Sequence, residues 1–511
     1  MSTRTLATHP LIIVAAGLLA GVVGVAAMSA SPKWAVLLAV ALLGAMPLLV
    51  VRPVEYYLLP IYFVLITVEV FGMSIERYFI DGGLLLRLHG IPPSGEVGLL
   101  VYPSDAVMLT MVALWLIPVM SGRRTIDVHQ FGKLFALFLG WIAIVSLLMS
   151  EVAFLSIAEM IRQVKFFVIF LFAANFMRSR HFLRWFMYIG LLCLFIQSTV
   201  TTVAFFSGYT GHPMSFLLGG ADSRVSGYEI VTPIDESDSS GIRAGGTFGN
   251  PVQTAIYLEF FIPLAFVMFW MEKQRWLRLL AGALFAFGCV AFWATLSRAG
   301  LISLVVAMGI GVLVLFVRKD LGLKTMLLIA CTGLLVAGPI ANKFIDYLSN
   351  RPTSIEGRFV IVHNTAIMII ENPIFGVGLN NHTVARRQRF RPDNHYLGEE
   401  IYPVHNHYLV MWSEAGLIGL VLQLAMFYLA LKHAWILSRS GDRLVRMFAT
   451  AAFISFIAIY MNLVADHFSG NAQRSLFFFF AGTVMAMNAL IRREGGGDGD
   501  ALRVHAGGSS R

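Results

Sequence analysis

Fourteen stretches of this chain are apolar for long enough to cross a lipid bilayer, which constrains the fold more tightly than any motif. They cover residues 11–30, 34–51, 55–71, 104–120, 132–150, 163–177 and 184–207, and, after a polar break, 252–271, 276–296, 299–317, 324–341, 407–431, 445–465 and 473–491. A bilayer core about 30 Å thick takes roughly 20 helical residues to span. Inside it every backbone N–H and C=O must be satisfied within the segment, so such runs fold as helices. The expected class is an all-α integral membrane protein with about 12–14 transmembrane helices. Charged residues make up 13% of the chain, against about 25% in soluble domains. A water-soluble protein is excluded, and so is a soluble enzyme on a single anchor.

The net charge of +9 is then a matter of topology, because Lys and Arg accumulate in cytoplasmic loops. Loops on one side hold Arg123, Arg124, Lys133, Arg178, Arg180, Arg184, Lys273, Arg275, Arg278, Arg318, Lys319, Lys324, Lys432, Arg439, Arg443 and Arg446. With Arg4, Arg52 and the four arginines of the tail, that side has 22 of the 38 basic residues. It is read as cytoplasmic, with both termini inside; in a bacterium the membrane would be the inner one and the opposite face periplasmic. The length of the first run argues for a retained span over a cleaved signal peptide. The long polar connections, 72–103, 208–250 and 342–406, all face the opposite, periplasmic side, where no nucleotide sugar is available and a donor must arrive activated.

The chain divides into an N-terminal bundle (1–207), a periplasmic loop (208–250), a transmembrane core (251–341), a large periplasmic loop (342–406), C-terminal helices (407–491) and a Gly-rich tail (492–511) expected to be disordered. Cys193, Cys289 and Cys331 lie in apolar runs without CxxC spacing and read as packing residues.

Chemistry concentrates in and around the large loop. Residues 357–370 read as a helix stopped by Asn372 and Pro373, and Gly376 and Gly378 make a turn of the kind that suits a bound anion. Arg386, Arg387, Arg389 and Arg391 crowd into six residues and read either as a solvated face or as a contact to lipid phosphate. His405 and Asn406 stand at the mouth of the twelfth run. A metal is not expected: His405 and His407 suit a strand pair, and no third ligand is evident. Glu259 sits seven residues into the eighth run, and an acid at that depth either lines a cavity or pairs with an arginine of another span.

In this stretch the chain resembles the O-antigen ligase and polysaccharide polymerase superfamily of polytopic glycan-joining enzymes. His405 and Asn406, nine residues, Gly416, two residues and Gly419 follow the ligase-type spacing, although Leu420 and Val421 stand where small or hydroxyl residues are usual. TFGNPVQTAIYL (247–258), LSRAG (296–300) and the GRF to ENPIFGVGLNN segment (357–381) resemble further landmarks, and the resemblance covers about residues 245–420.

The resemblance implies transfer of a glycan from undecaprenyl pyrophosphate to a glycan acceptor at the periplasmic face, with no metal or nucleotide cofactor. Arg298 and Arg358 then take the charge of the leaving pyrophosphate, which guanidinium forks match bidentately. His405 accepts the acceptor's proton or orients the substrate. Asn406, Glu259, Arg386 and Arg387 are further candidates for substrate contact. Glu414, nine residues beyond His405, is too deep in a regular helix to partner it. Membrane lipids and other polysaccharide assembly proteins are the remaining expected partners, and nucleic acid is not one. The reading leans to a polymerase over a ligase on residues 420–421 and the number of spans. A lipid-linked-glycan flippase is the rival class; against it, no internal repeat is visible and the polar mass is concentrated in three outer loops.

Overall fold

The computed structural model describes residues 55–68, 73–74, 100–207, 243–323, 353–389, 403–468 and 470–506; the side chains of residues 55–56, 73–74, 100–101, 207, 353–358, 387–389 and 495–506 lie outside that description. Thirteen α-helices occur among these residues: α1 Glu55–Thr67, α2 Pro103–Met120, α3 Gln130–Met149, α4 Ala153–Phe176, α5 Arg180–Ser207, α6 Pro251–Met271, α7 Arg275–Ala294, α8 Arg298–Val317, α9 Thr353–Glu371, α10 His382–Arg389, α11 His407–Leu437, α12 Arg443–Asn462 and α13 Asn471–Ala506. A two-residue antiparallel pairing joins Met73 to Val101 and Ser74 to Leu100.

Nine of the helices (α2, α3, α5 to α8 and α11 to α13) are long and apolar enough to cross a membrane. The protein is an all-α multi-pass membrane protein. Eleven of the fourteen predicted runs coincide with helices, and the runs at 11–30, 34–51 and 324–341 lie outside the described residues.

Helix α6 is the axis of the bundle, buried on all sides from Thr254 to Met268. It packs on α5, α7, α8, α12 and α13. Its uniform apolarity is what an element surrounded by other helices requires. Asn250 starts it, its side chain accepting the N–H groups of Val252 (2.9 Å) and Gln253 (3.2 Å), with Pro251 at the first helical position. Peripheral helices instead turn Leu147, Val305 and Leu109 outward, an apolar face suited to lipid.

Helix α4 departs from expectation. The run at 163–177, read as a short span, is the inner part of a 24-residue helix that starts at Ala153. Its stretch from Glu159 to Lys165 carries Glu159, Arg162, Gln163 and Lys165, whose polarity hides the start of the helix from a hydropathy reading. At the other end of the chain, α13 continues to Ala506 through the tail expected to be disordered. Extending an existing helix avoids the cost of a new nucleus.

Polar contacts gather at the two ends of the bundle. At the end expected to be cytoplasmic, Arg178 pairs with Asp127 (3.1 Å) and Arg180 binds both Asp442 and Glu494. Arg318 donates to Ser438 Oγ at 2.7 Å. The starts of α6, α8, α11 and α13 lie at the opposite end with α9, α10 and the segment 463–468, and the candidate site is there.

Candidate functional site

The site is assembled around a break in α11. Gly416 has φ 68° and ψ −177° inside the helix, a conformation essentially confined to glycine. The break frees backbone groups of α11, and the turn that follows α9 takes them up. Val377 N–H donates to Ser413 O (2.8 Å), Gly378 N–H to Glu414 O (3.0 Å), and Leu417 N–H to Pro373 O (2.9 Å). A Cβ on Gly376 would come 2.6 Å from the Glu414 carbonyl carbon, and one on Gly378 would come 2.5 Å from Ser150 Oγ. Trp141 locks the same junction, donating to Ala415 O (2.8 Å) and stacking on Phe375. The glycines therefore serve close backbone docking. The expectation that this turn cradles an anion fails, since the N–H groups of Val377 and Gly378 already have carbonyl partners.

Beyond the turn, Asn381 is fully buried and clamps α4: its Oδ1 accepts Val152 N–H (2.9 Å) and its Nδ2 donates to Ser156 Oγ (2.9 Å). His382 N–H donates to Glu414 Oε1 (3.3 Å). Thr365 spends its hydroxyl proton on Ile361 O (2.7 Å), so at its 2.9 Å contact with His382 Nε2 it is the acceptor, and Nε2 carries the proton. Burial pushes His382 down to about 3, with Arg386 and His467 acting in the same direction, so the ring is neutral.

His405 precedes α11 and is half-exposed. Its Nδ1 lies 3.4 Å from Asp466 Oδ1, and the same oxygen lies 3.2 Å from His467 Nδ1. Burial would raise the Asp466 carboxyl, but hydrogen bonds and charge from His405 and His467 hold it well below the usual carboxylate range. Asp466 is thus an anion facing two imidazoles. Its backbone is fixed on both sides: Asp466 N–H donates to Asn462 O (3.1 Å), and His407 N–H donates to the carbonyls of Leu463 and Asp466 (both 2.9 Å). His407 is itself structural. Its Nδ1 accepts from Phe468 N–H (3.4 Å) and its Nε2 meets the Gln423 amide at 2.8 Å.

Next to this loop lies a buried ionic network that the sequence reading did not identify. Glu159 of α4 binds Arg162 Nε (2.7 Å), Gln163 Nε2 (2.8 Å) and Arg474 Nη1 of α13 (2.6 Å). Lys165 reaches Asp105 (3.3 Å) and Asn471 Oδ1 (2.6 Å). Glu159 and Arg474 both lie within electrostatic reach of His407. The available signal was Arg162 and Lys165 on the flank of an apolar run, since charges there are rare and usually functional or paired.

The sequence candidates fall into distinct places. Arg298 is half-buried at the first position of α8, directly after the capping Ser297. Arg358 lies on α9 and Arg387 on α10, with side chains outside the described residues. The Arg386 side chain is buried beside His382, which does not fit a solvated face. Asn406 caps α11, its Oδ1 accepting Leu409 N–H at 3.0 Å. Glu259 is fully buried, and its Oε1 accepts from Ser303 Oγ (2.6 Å) and Asn462 Nδ2 (3.0 Å). Those partners are a serine and an asparagine, where an arginine or an open cavity was expected. The bridge ties the start of α8, and so Arg298, to the end of α12, which leads into Asp466. Asp466 and His467 were missed because they lie 61 and 62 residues beyond His405, across the α11–α12 hairpin.

Residues 283–424 match a family model described as O-antigen ligase. The matched stretch contains Arg298, Arg358, the glycines of the docked turn, His405, Gly416 and Gly419, and it ends before Asp466, His467 and Arg474. No curated protein matches the chain.

Proposed function

From the premise that the match over residues 283–424 supports the O-antigen ligase superfamily, we propose that this ligase/polymerase-type membrane enzyme transfers a glycan from undecaprenyl pyrophosphate to a glycan acceptor at the periplasmic face of the inner membrane. The acceptor hydroxyl attacks the anomeric carbon of the donor, the bond from that carbon to the pyrophosphate oxygen breaks, and the hydroxyl proton passes to His405. The pyrophosphate leaves on its lipid, and Arg298 and Arg358 take up its charge.

The observation that carries this reading is the His405–Asp466 pair at the mouth of α11. A carboxylate on Nδ1 fixes the ring so that Nε2 faces the substrate, and it stabilises the imidazolium that forms. Asp466 is a positioning residue in this scheme. Arginines carry the charge, so the purified enzyme is expected to turn over in excess EDTA.

Polymerisation of repeat units is favoured over ligation to a lipid or protein acceptor by Leu420 and Val421, which replace the small or hydroxyl residues of the ligase pattern. The test is an in vitro reaction on a defined lipid-linked repeat with wild type, His405→Ala, Arg298→Ala and Arg358→Ala. Full activity in all three variants overturns the assignment. Deleting the gene separates the outcomes: loss of a polymerase leaves single repeats on the carrier, and loss of a ligase leaves long chains there.

A further inference from the structure

We infer that His405, Asp466 and His467 form a binding site for a divalent transition-metal ion of the Zn2+ class, and that filling it switches the enzyme off. The three residues offer two imidazole nitrogens and one carboxylate oxygen, all within 4.8 Å of one another. Zinc binds such donors at about 2.0–2.2 Å in a tetrahedral arrangement, which puts neighbouring ligand atoms about 3.3–3.5 Å apart. Two of the three separations, 3.4 Å from Asp466 Oδ1 to His405 Nδ1 and 3.2 Å to His467 Nδ1, lie close to that spacing. The third, between the two imidazoles, is within 4.8 Å, and the rings turn to close it on an ion.

Two further features favour binding. The backbone of the loop is held by Asn462, Leu463 and His407, so the carboxylate is pre-positioned. The His405 side chain is 34% exposed, against 15% for Asp466 and 20% for His467, leaving an approach for the ion and for a water or substrate oxygen as fourth ligand. A two-imidazole, one-carboxylate set suits Zn2+ and its neighbours and disfavours Mg2+ and Ca2+, which take oxygen ligands.

Inhibition follows from the tautomer, and this part rests on the reading of His405 as proton acceptor. In the active form Nδ1–H donates to Asp466 and Nε2 holds the free lone pair. A metal on Nδ1 displaces that proton, the neutral ring keeps its one proton on Nε2, and Nε2 can no longer accept another. The ion also takes up the negative charge of Asp466 that stabilises the imidazolium.

The test uses purified full-length protein stripped with chelator, with Zn2+ and Mg2+ as probes. Competition against a chromophoric chelator is expected to show one Zn2+ per chain, unaffected by millimolar Mg2+, lost in Asp466→Asn and at least tenfold weaker in His467→Gln. Turnover of wild type is expected to be abolished by Zn2+ and restored by EDTA. His467→Gln should turn over in EDTA and need at least tenfold more Zn2+ for the same inhibition. Absence of stoichiometric Zn2+, or equal affinity in wild type and His467→Gln, overturns the site. Zn2+ that binds without inhibiting overturns the switch. His405→Ala separates this inference from the function it rests on: losing turnover while keeping full Zn2+ affinity removes the metal site alone, and losing Zn2+ while keeping turnover removes the proton-acceptor role alone.

Discussion

Replacing Gly416 with alanine tests whether the kink in α11 builds the site. A Cβ at this position overlaps the Ile374 carbonyl and comes 2.7 Å from Phe375 N, both of them backbone. No side-chain rotation relieves the overlap, so either the turn at 372–378 moves away or α11 straightens. The φ of 68° with ψ of −177° costs a residue with a side chain about 1–3 kcal/mol. Displacing the turn also breaks the three backbone hydrogen bonds from Val377, Gly378 and Leu417, each worth about 0.5–1.5 kcal/mol. The expected loss is about 2.5–7.5 kcal/mol, concentrated at the packing of α9 and α10 on α11. The assay is thermal stability of the detergent-solubilised protein by fluorescence-detected gel filtration, with glycan transfer measured on the same preparation. Gly140→Ala and Gly309→Ala are the controls. Both sit in helices with nothing within 4 Å of an added Cβ, and both should be neutral or gain up to about 1 kcal/mol. If Gly416→Ala melts with wild type and transfers glycan at the wild-type rate, the docked-turn account of these glycines is wrong.

Three other outcomes are expected. Asp466→Asn should lower kcat by about 10² to 10⁴ with KM and thermal stability little changed; a loss confined to KM would instead make Asp466 a substrate ligand. Glu159→Ala leaves Arg162 and Arg474 buried without their carboxylate, at side-chain exposures of 7% and 9%, and should cost about 3–5 kcal/mol by thermal melting, with much of it recovered when Arg474 is also changed to Met. His382 is held neutral down to about 3, so between that value and the free-histidine value only the opened state takes up the proton, and stability falls as pH falls; hydrogen exchange in α9 and α10 from pH 7.5 to 5.5 should show about 1.4 kcal/mol lost, a slope absent in His382→Gln.

Hydropathy located the nine described spans because a lipid-facing or bundle-facing helix must be apolar along its length. It failed at α4 for a physical reason. Glu159, Arg162 and Lys165 interrupt the apolar pattern, and their partners Arg474, Asp105 and Asn471 come from α2 and α13, far away in sequence. His405 was legible from its spacing to Gly416 and Gly419, but the reason for the spacing was not. Gly416 is special because of Ile374, 42 residues earlier, and no local pattern reports such a contact. Gly376 and Gly378 misled for the same reason: a Gly-rich turn beside arginines has the chemistry of an anion nest until a carbonyl from another helix fills it. Glu414 was set aside as too deep to partner His405, and it does serve a different group, the His382 N–H.

Glu259 shows how two of the separate candidate regions are tied through the fold. An acid in the interior of a membrane bundle needs donors, and a serine and an asparagine supply them without a second charge. Ser303 lies five residues along α8 from Arg298, about 7.5 Å of helix, and Asn462 lies four residues before Asp466. The carboxyl that joins Ser303 to Asn462 therefore joins, through short rigid segments, the arginine assigned to the leaving group and the carboxylate assigned to His405. The tie runs through α6, which is buried on every side from Thr254 to Met268. The glycan transfer proposed above would need charge uptake and proton uptake to stay in register while bulky substrates change, and a tie through the central helix with uncharged partners would serve that need.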